Sequence, residues 1–196
     1  MYFHFLDFSL LKDIENLQEV YDKASDICNI FQYRKKINLV KIYNFQEFNK
    51  IFSVKIPRWV IGTGYDSTIL LLDKLQWKNP NIMSVDSLIL HEMIHIILAN
   101  HCKADLPIWL NEGLAVVLSG QKMTYDKKLI LQYLKNKDIY SMGYDDDMLY
   151  PCSGFAVKAI IAKYGLHKIA EDMKYFVANE YWNSKVLYHI IEEFEN

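Results

Sequence analysis

The chain has 196 residues, of which 52% are hydrophobic and 23% are charged, with 7 Gly and 4 Pro. This length and composition favour one globular domain with an apolar core, and they exclude disordered, collagen-like and low-complexity chains. The formal net charge of -2 gives no field that binds nucleic acid or an anionic membrane through charge alone. We therefore expect neither nucleic acid nor a membrane as a partner.

The number and spacing of the cysteines and the composition of the N-terminal segment bear on the cellular compartment of the protein. Cys28, Cys102 and Cys152 cannot all pair within the chain, and their spacing gives no disulfide framework, which favours a reducing environment. Residues 1–13 lack the basic region of a secretory signal, and no run approaches the roughly 20 apolar residues of a transmembrane helix. We expect a cytoplasmic protein, or a secreted one if a leader has been removed.

The pattern of the first 80 residues predicts a small α/β lobe. Hydrophobic periodicity predicts, in chain order, a helix over 10–31, a strand over 37–43, a helix over 45–53 and strands over 58–63 and 67–73. The last two strands are rich in β-branched and aliphatic residues and flank Gly64-Tyr65-Asp66. This arrangement predicts a β-hairpin.

After Asn79-Pro80 the pattern becomes helical, with Ser84 as an N-cap and Gly120 as a stop signal. We predict helices over 84–101, 107–120, 124–136, 153–164 and 166–194, the last broken around 179–184. The sequence therefore predicts a single α+β domain with an α/β sub-lobe over about 1–80 and a helical sub-lobe over 81–196.

The predicted helix at 84–101 contains a cluster of ionisable residues in apolar surroundings. In SLILHEMIHIILA, residues 87–99, the ionisable residues are His91, Glu92 and His95. Burying an unpaired polar group costs roughly 2 to 7 kcal/mol, so these side chains need a partner. Histidines at i and i+4 share one helix face, about 5 to 6 Å apart at Cβ, and can converge on a zinc ion. Glu92 lies about 100° further round, in reach of a water on that ion.

A second predicted apolar helix also contains an ionisable residue that needs a partner if it is buried. In IWLNEGLAVVL, residues 108–118, the single ionisable residue is Glu112. Two helices that each bury ionisable groups can share one cation. HEMIH is an H-E-x-x-H motif, in which the two histidines bind the metal and the glutamate acts as general base.

These motifs together resemble those of a known group. HEMIH at 91–95 followed by WLNEGLA at 109–115 resembles the gluzincin metallopeptidases, and the small size suggests the peptidase MA-like families among them. The resemblance extends over about 57–165, because RWVIGTGYDSTILLLD is similar to their edge-strand region and LYPCSGFAVKAIIAKYG to their tyrosine-containing helix start.

The resemblance implies a zincin-like fold, with a mostly antiparallel-edged sheet in the first lobe and an active-site cleft between the lobes. It implies one Zn²⁺ per chain held by His91, His95 and Glu112, with Glu92 as general base. It further assigns Tyr150 as the donor that stabilises the tetrahedral oxyanion. The expected function is zinc-dependent hydrolysis of peptide bonds in a peptide or protein substrate, which lies extended along residues 67–72.

Two departures from the family pattern refine this expectation. The chain has no equivalent of the Gly-rich motif with which zinc aminopeptidases bind a free amino terminus, which favours an endopeptidase. Thermolysin-like members carry an Asp four residues after the ligand Glu, where this chain has Val116.

Alternative ligands and donors remain at the sequence level. His101 has the spacing of the third histidine of a metzincin, and residues 122–125 resemble a Met-turn. However, Leu98 replaces the helix-breaking Gly of that group, which favours Glu112 as the third ligand. Substitutes for Tyr150 as the oxyanion donor are Tyr144, Tyr125 and His167.

Alternative functions also remain. The zincin scaffold can serve as a binding or regulatory module with little or no turnover, although a module that only binds has no chemical use for Glu92. Cys102 and Cys152 are candidate inhibitory or redox ligands near the zinc, but free cysteines are usually small buried hydrophobes. Asp145–Asp147 form either a calcium loop or a solvated surface loop.

Overall fold

The computed structural model describes residues 2–52, 56–79, 83–122, 126–175 and 184–194. These residues form a mixed α+β structure with a sheet in the N-terminal part and helices in the C-terminal part, as predicted. The chain divides into two compact units, Met1–Ile97 and Leu98–Asn196. The boundary expected at Asn79-Pro80 stays a prediction, and Pro80 lies outside the described residues.

The first unit is built on a four-stranded mixed sheet. Its strands are β1 (Tyr2–Phe5), β2 (Lys36–Ile42), β3 (Gly62–Tyr65) and β4 (Thr68–Leu72). The strand order is β1-β2-β4-β3, with parallel β1–β2 and β2–β4 pairs and an antiparallel β3–β4 pair at one edge. Helices α1 (Leu17–Ile30) and α2 (Phe45–Phe52) lie in the long connections that parallel pairs require.

The N-terminal region differs from the prediction in two ways. Strand β1 is absent from the prediction, because its partner β2 is more than thirty positions away and its four residues are too short a run to establish a period. Helix α1 begins at Leu17 rather than near residue 10, since Asn16 caps it by accepting the N–H of Glu19 at 3.1 Å. A short 3-10 turn, Phe8–Lys12, accounts for the earlier apolar spacing.

The predicted hairpin is confirmed, with its turn later than expected. Gly64 and Tyr65 belong to β3, and the turn lies at Asp66-Ser67, where Asp66 adopts a φ of 51°. Asp tolerates this left-handed conformation because its short polar side chain bonds locally.

The position of β4 corrects the expected substrate path along residues 67–72. Strand β4 is bonded to β2 on one side and to β3 on the other, so its backbone groups are already paired. Within the described residues β1 and β3 are the two edge strands of the sheet, and β3 is the one next to β4. An added extended segment can therefore pair with β3 and not with β4.

Helix α3 (Val85–His101) confirms the predicted central helix. Ser84 caps it, because its Oγ accepts the N–H of Ser87 at 3.1 Å. Strand β3 lies directly on this helix: a Cβ built on Gly64 would come within 2.9 Å of the Glu92 carbonyl oxygen. Glycine is therefore required at this position by close packing rather than by a turn.

The second unit is helical. Its helices are α4 (Ile108–Ser119), α5 (Lys127–Asn136), α6 (Leu149–Tyr164), α7 (Leu166–Met173) and α8 (Ser184–Glu193). Gly120 ends α4 with a left-handed φ of 72°, as expected of a glycine at this position. Helices α4 and α6 pack closely against each other.

Helix α6 begins at Leu149, earlier than the predicted 153, because Pro151 falls in its first turn, where no intrahelical N–H bond is lost. The predicted helix break at 179–184 overlaps residues 176–183, which lie outside the described residues, as does the greater part of the Met-turn considered at 122–125. None of the described helices has both the length and the apolar character needed to cross a bilayer.

Candidate metal centre

Helix α3 carries His91, Glu92 and His95 in an apolar environment. Its neighbouring side chains Ile89, Met93 and Ile94 are fully buried. His91 is 6% exposed and Glu92 is 8% exposed, whereas His95 is half-buried. The helix therefore places two nearly buried ionisable groups where the sequence predicted them, at a cost that only polar partners or a cation can offset.

The two histidines face each other across one helical turn. Their Nε2 atoms are 3.0 Å apart, and their ring planes are inclined at 79°. Two ligand atoms at about 2.0–2.1 Å from a tetrahedral zinc ion lie roughly 3.3 Å apart. The imidazole nitrogens thus have nearly the separation that two ligands of one metal ion need.

Glu112 lies in the first half of α4 and is 4% exposed. Its neighbours Leu114, Ala115 and Val116 belong to the core. The hydroxyl of Tyr144 donates a hydrogen bond of 2.9 Å to Glu112 Oε1. A carboxylate carries two oxygens with about four acceptor positions, so Glu112 can accept this bond and still offer a lone pair to a cation.

One ligand atom from each of His91, His95 and Glu112 lies within 4.8 Å of the other two. Within the described ranges this is the one group of three or more His, Cys, Asp or Glu side chains with such a geometry. Two neutral imidazoles and one carboxylate are a donor set that suits zinc and other divalent transition metals. The predicted set of residues therefore forms a group that can hold a metal ion.

His101, the alternative third ligand, is directed elsewhere. Helix α3 continues unbroken through Leu98, and His101 Nε2 lies 2.7 Å from the carbonyl oxygen of Ala170 in α7. The structure does not bring His101 into the group formed by the other two histidines. His101 occupies the last turn of α3.

The predicted oxyanion donor, Tyr150, is half-buried at the second position of α6. Its role stays a prediction. Tyr144, which the sequence offers only as a substitute, donates a hydrogen bond to the predicted ligand Glu112. Of the other substitutes, Tyr125 lies outside the described residues.

The loop that carries Tyr144 is anchored by Asp146. The Asp146 side chain is 6% exposed and accepts hydrogen bonds from Lys137 Nζ at 2.6 Å, from the Tyr133 hydroxyl at 3.0 Å and from the Met148 N–H at 2.9 Å. Burial acts to raise the pKa of Asp146, but these hydrogen bonds outweigh it and hold the pKa below its ordinary value. The loop is therefore fixed by a charged, multiply bonded carboxylate.

This bonding also bears on the proposed calcium loop at Asp145–Asp147. Asp146 is committed to the loop anchor, while Asp145 and Asp147 are exposed. The three carboxylates form no ligand cluster in the part of the chain that the structure describes. The solvated-loop interpretation therefore fits Asp145 and Asp147, and Asp146 has a structural role.

The cysteines are poor metal ligands in this structure. Burial raises the pKa of the Cys102 thiol to about 11 and that of the Cys152 thiol to about 12. The thiolate is the form that binds metals, and it is scarce at neutral pH when the pKa is this high.

A scan against models of known protein families finds no match for this chain, and a search of curated proteins finds none either. The assignment of the site therefore depends on its residues and their geometry.

Sequence reasoning misses two features of the site. The Tyr144–Glu112 bond joins residues 32 positions apart, one of them in a loop without periodicity, so no local pattern indicates it. The approach of β3 to Glu92 is also missed: a Cβ on Gly62 would lie 3.3 Å from Glu92 Oε1. The sequence signal for this close approach is the pair of glycines at alternate positions in GTGY, residues 62–65. From the sequence alone, Gly64 is placed in the turn instead.

Proposed function

We propose that this protein is a zinc-dependent endopeptidase of the gluzincin type. The observation that carries the proposal is the convergence of His91, His95 and Glu112 within 4.8 Å, with Glu92 on the same helix as the two histidines. A purely structural metal site needs ligands but has no use for the additional buried carboxylate of Glu92.

In this proposal His91, His95 and Glu112 hold the ion. Two neutral imidazoles and one carboxylate leave the site with a net positive charge when a divalent ion is bound. A zinc ion in such a site lowers the pKa of a coordinated water and polarises the substrate carbonyl as a Lewis acid.

Glu92 supplies the proton transfers. Its carboxylate accepts a proton from the attacking water and then delivers that proton to the amine that leaves from the cleaved peptide bond. The low exposure of Glu92 keeps bulk water from competing for these transfers. Tyr150 remains the predicted donor to the oxyanion, a role that typically contributes about 3 kcal/mol.

Strand β3 is the proposed docking strand for the substrate. It is one of the two edge strands of the sheet within the described residues, and it is the one that lies beside Glu92: a Cβ on Gly62 would be 3.3 Å from Glu92 Oε1. An extended peptide that adds to β3 through main-chain hydrogen bonds is held beside the general base. Main-chain pairing along a strand favours a segment within a longer chain, in agreement with an endopeptidase.

The test is hydrolysis of casein, an unstructured substrate, by the purified protein loaded with one equivalent of zinc. We expect proteolysis that a chelator abolishes and added zinc restores. Glu92→Gln should retain the zinc and lose at least 10²-fold in activity, since a general base contributes about 10² to 10⁴-fold.

Glu171→Gln is the matched control, because Glu171 is an exposed carboxylate on α7. It should cleave casein at the wild-type rate. Full activity in Glu92→Gln contradicts the mechanism. Stoichiometric zinc without any chelator-sensitive cleavage contradicts the enzymatic function and favours the binding or regulatory module.

A further inference from the structure

We propose that Tyr144 is a positioning residue for the metal centre: its hydroxyl fixes the carboxylate of Glu112 in the orientation in which Glu112 binds the metal. This inference rests on the metal site of the proposed function, but it does not depend on peptidase activity. It is carried by the 2.9 Å hydrogen bond between Tyr144 and Glu112.

Glu112 needs such a constraint. A glutamate side chain loses considerable rotamer freedom when it is fixed, and Glu112 is fixed in a site where it is only 4% exposed. A hydroxyl that donates to one carboxylate oxygen fixes the plane of the carboxylate and leaves the second oxygen as a ligand atom. In metal sites generally, residues that bond the ligands but do not touch the metal orient those ligands.

Tyr144 is itself held in place. Asp146, two residues further on, binds Lys137 Nζ, the Tyr133 hydroxyl and the Met148 N–H. These bonds connect the loop to α5 and to the residue that precedes α6. The hydroxyl of Tyr144 therefore reaches Glu112 from an anchored loop, so little freedom is lost when the bond forms.

The hydrogen bond also suggests a competing role, in which the Tyr144 hydroxyl stabilises the oxyanion of the reaction. The two roles differ in what they affect. A positioning residue changes the affinity of the site for metal in the absence of any substrate, whereas an oxyanion donor changes turnover and leaves metal affinity as it was.

The experiment measures the zinc dissociation constant of the full-length chain by competition with a chromophoric chelator. Tyr144→Phe removes only the hydroxyl, and Tyr144 is half exposed, so the variant should fold with an unchanged melting temperature in the metal-free form. We expect zinc to bind about 10 to 100-fold more weakly, the usual loss when such a partner is removed.

Two further variants complete the test. Tyr140→Phe removes a hydroxyl from a ring that packs edge-on against Trp109, and it should bind zinc as the wild type does. Asp146→Asn loosens the loop while keeping the Tyr144 hydroxyl, and it should weaken zinc binding by less than Tyr144→Phe does.

An unchanged zinc affinity in Tyr144→Phe overturns the inference, and an accompanying loss of turnover then assigns the hydroxyl to the oxyanion. Weaker zinc binding in Tyr144→Phe supports it even if the wild-type chain cleaves no peptide, in which case only the proposed function fails. A wild-type chain that takes up no zinc overturns both.

Discussion

Gly113 lies so close to Ser153 that a Cβ atom built on the glycine would come within 2.5 Å of the serine carbonyl oxygen. It would also lie 2.6 Å from Val157 Cγ2. Since the closest atom belongs to the backbone of α6, a side chain at this position can be accommodated only if the two helices separate. Gly113 thus sets the distance between α4 and α6 at the residue that follows the proposed ligand Glu112.

We predict that Gly113→Ala destabilises the protein by about 1 to 3 kcal/mol, the usual cost of overpacking a tight core. The free energy of unfolding in urea measures this loss. Gly154→Ala is the control: its Cβ would meet only the Val116 side chain, with Cγ1 at 3.1 Å, and alanine favours a helix by about 1 kcal/mol over glycine. We expect Gly154→Ala to lie close to the wild type. Equal losses in both variants would contradict this account.

A similar comparison tests how β3 rests on α3. A Cβ on Gly64 would lie 2.8 Å from Ile96 Cγ1 and 2.9 Å from the Glu92 carbonyl oxygen, whereas a Cβ on Gly62 would come no closer than 3.0 Å, to a flexible Leu88 methyl. We predict that Gly64→Ala lifts the edge strand and lowers kcat/KM for casein about tenfold or more, since small displacements of a positioned substrate are costly. Gly62→Ala should lower kcat/KM by less than Gly64→Ala does. A larger loss in Gly62→Ala than in Gly64→Ala would disprove the proposed role of β3.

Helices α3 and α4 are predictable from the sequence because each is an apolar segment with a few ionisable residues. His91, His95 and Glu112 stand out against that background, and the cost of burying them is enough to imply a shared partner. The capping residue Ser84 and the terminating Gly120 also act locally, so the predicted helix limits are nearly correct.

Features that depend on distant pairing are not predictable in this way. Strand β1 exists because β2 lies beside it, and nothing in Tyr2–Phe5 itself requires a strand. The assignment of Gly64 to a turn is wrong because a glycine signals both a turn and a close approach, and only the position of α3 distinguishes them. The contact of Tyr144 with Glu112 belongs to the same class, since a loop has no periodic pattern.

The thiols should be inert in the folded protein. Burial raises the pKa of Cys28 and Cys102 to about 11 and that of Cys152 to about 12, so the thiolate fraction at neutral pH is very small. We predict that an alkylating reagent labels these cysteines slowly in the native protein and rapidly in denaturant. Mass spectrometry of the labelled chain measures the difference, and rapid native labelling of Cys102 would revive its role as a redox ligand.

Acid should weaken the loop anchor at Asp146. Its pKa lies below the ordinary value of 3.8 in the folded state, so the stabilisation is complete above about pH 5 and is lost as the pH falls through the folded-state pKa. We predict that Asp146→Asn costs about 2 kcal/mol at pH 7, typical of hydrogen bonds to a charged group, and clearly less at pH 3. Urea unfolding of the wild type and the variant at both pH values measures this loss of unfolding free energy. Asp145→Asn, at an exposed neighbour, should show no such pH dependence.

The proposed ligand set predicts how zinc affects thermal stability. A ligand that binds only the folded state stabilises it by about 2.7 kcal/mol at one hundred times its dissociation constant, so zinc should raise the melting temperature of the wild type. His95→Asn and Glu112→Gln should abolish this increase, because each removes one of the three donors.

His101→Asn separates the two possible third ligands. It loses the contact with Ala170, at a cost of about 1 kcal/mol in the metal-free protein. His101 does not belong to the group that can hold a metal ion, so the increase caused by zinc should remain in full. Calorimetry with and without zinc compares the variants directly. If His101→Asn lost the increase while Glu112→Gln kept it, the third ligand would be the histidine, and the site would be of the metzincin type.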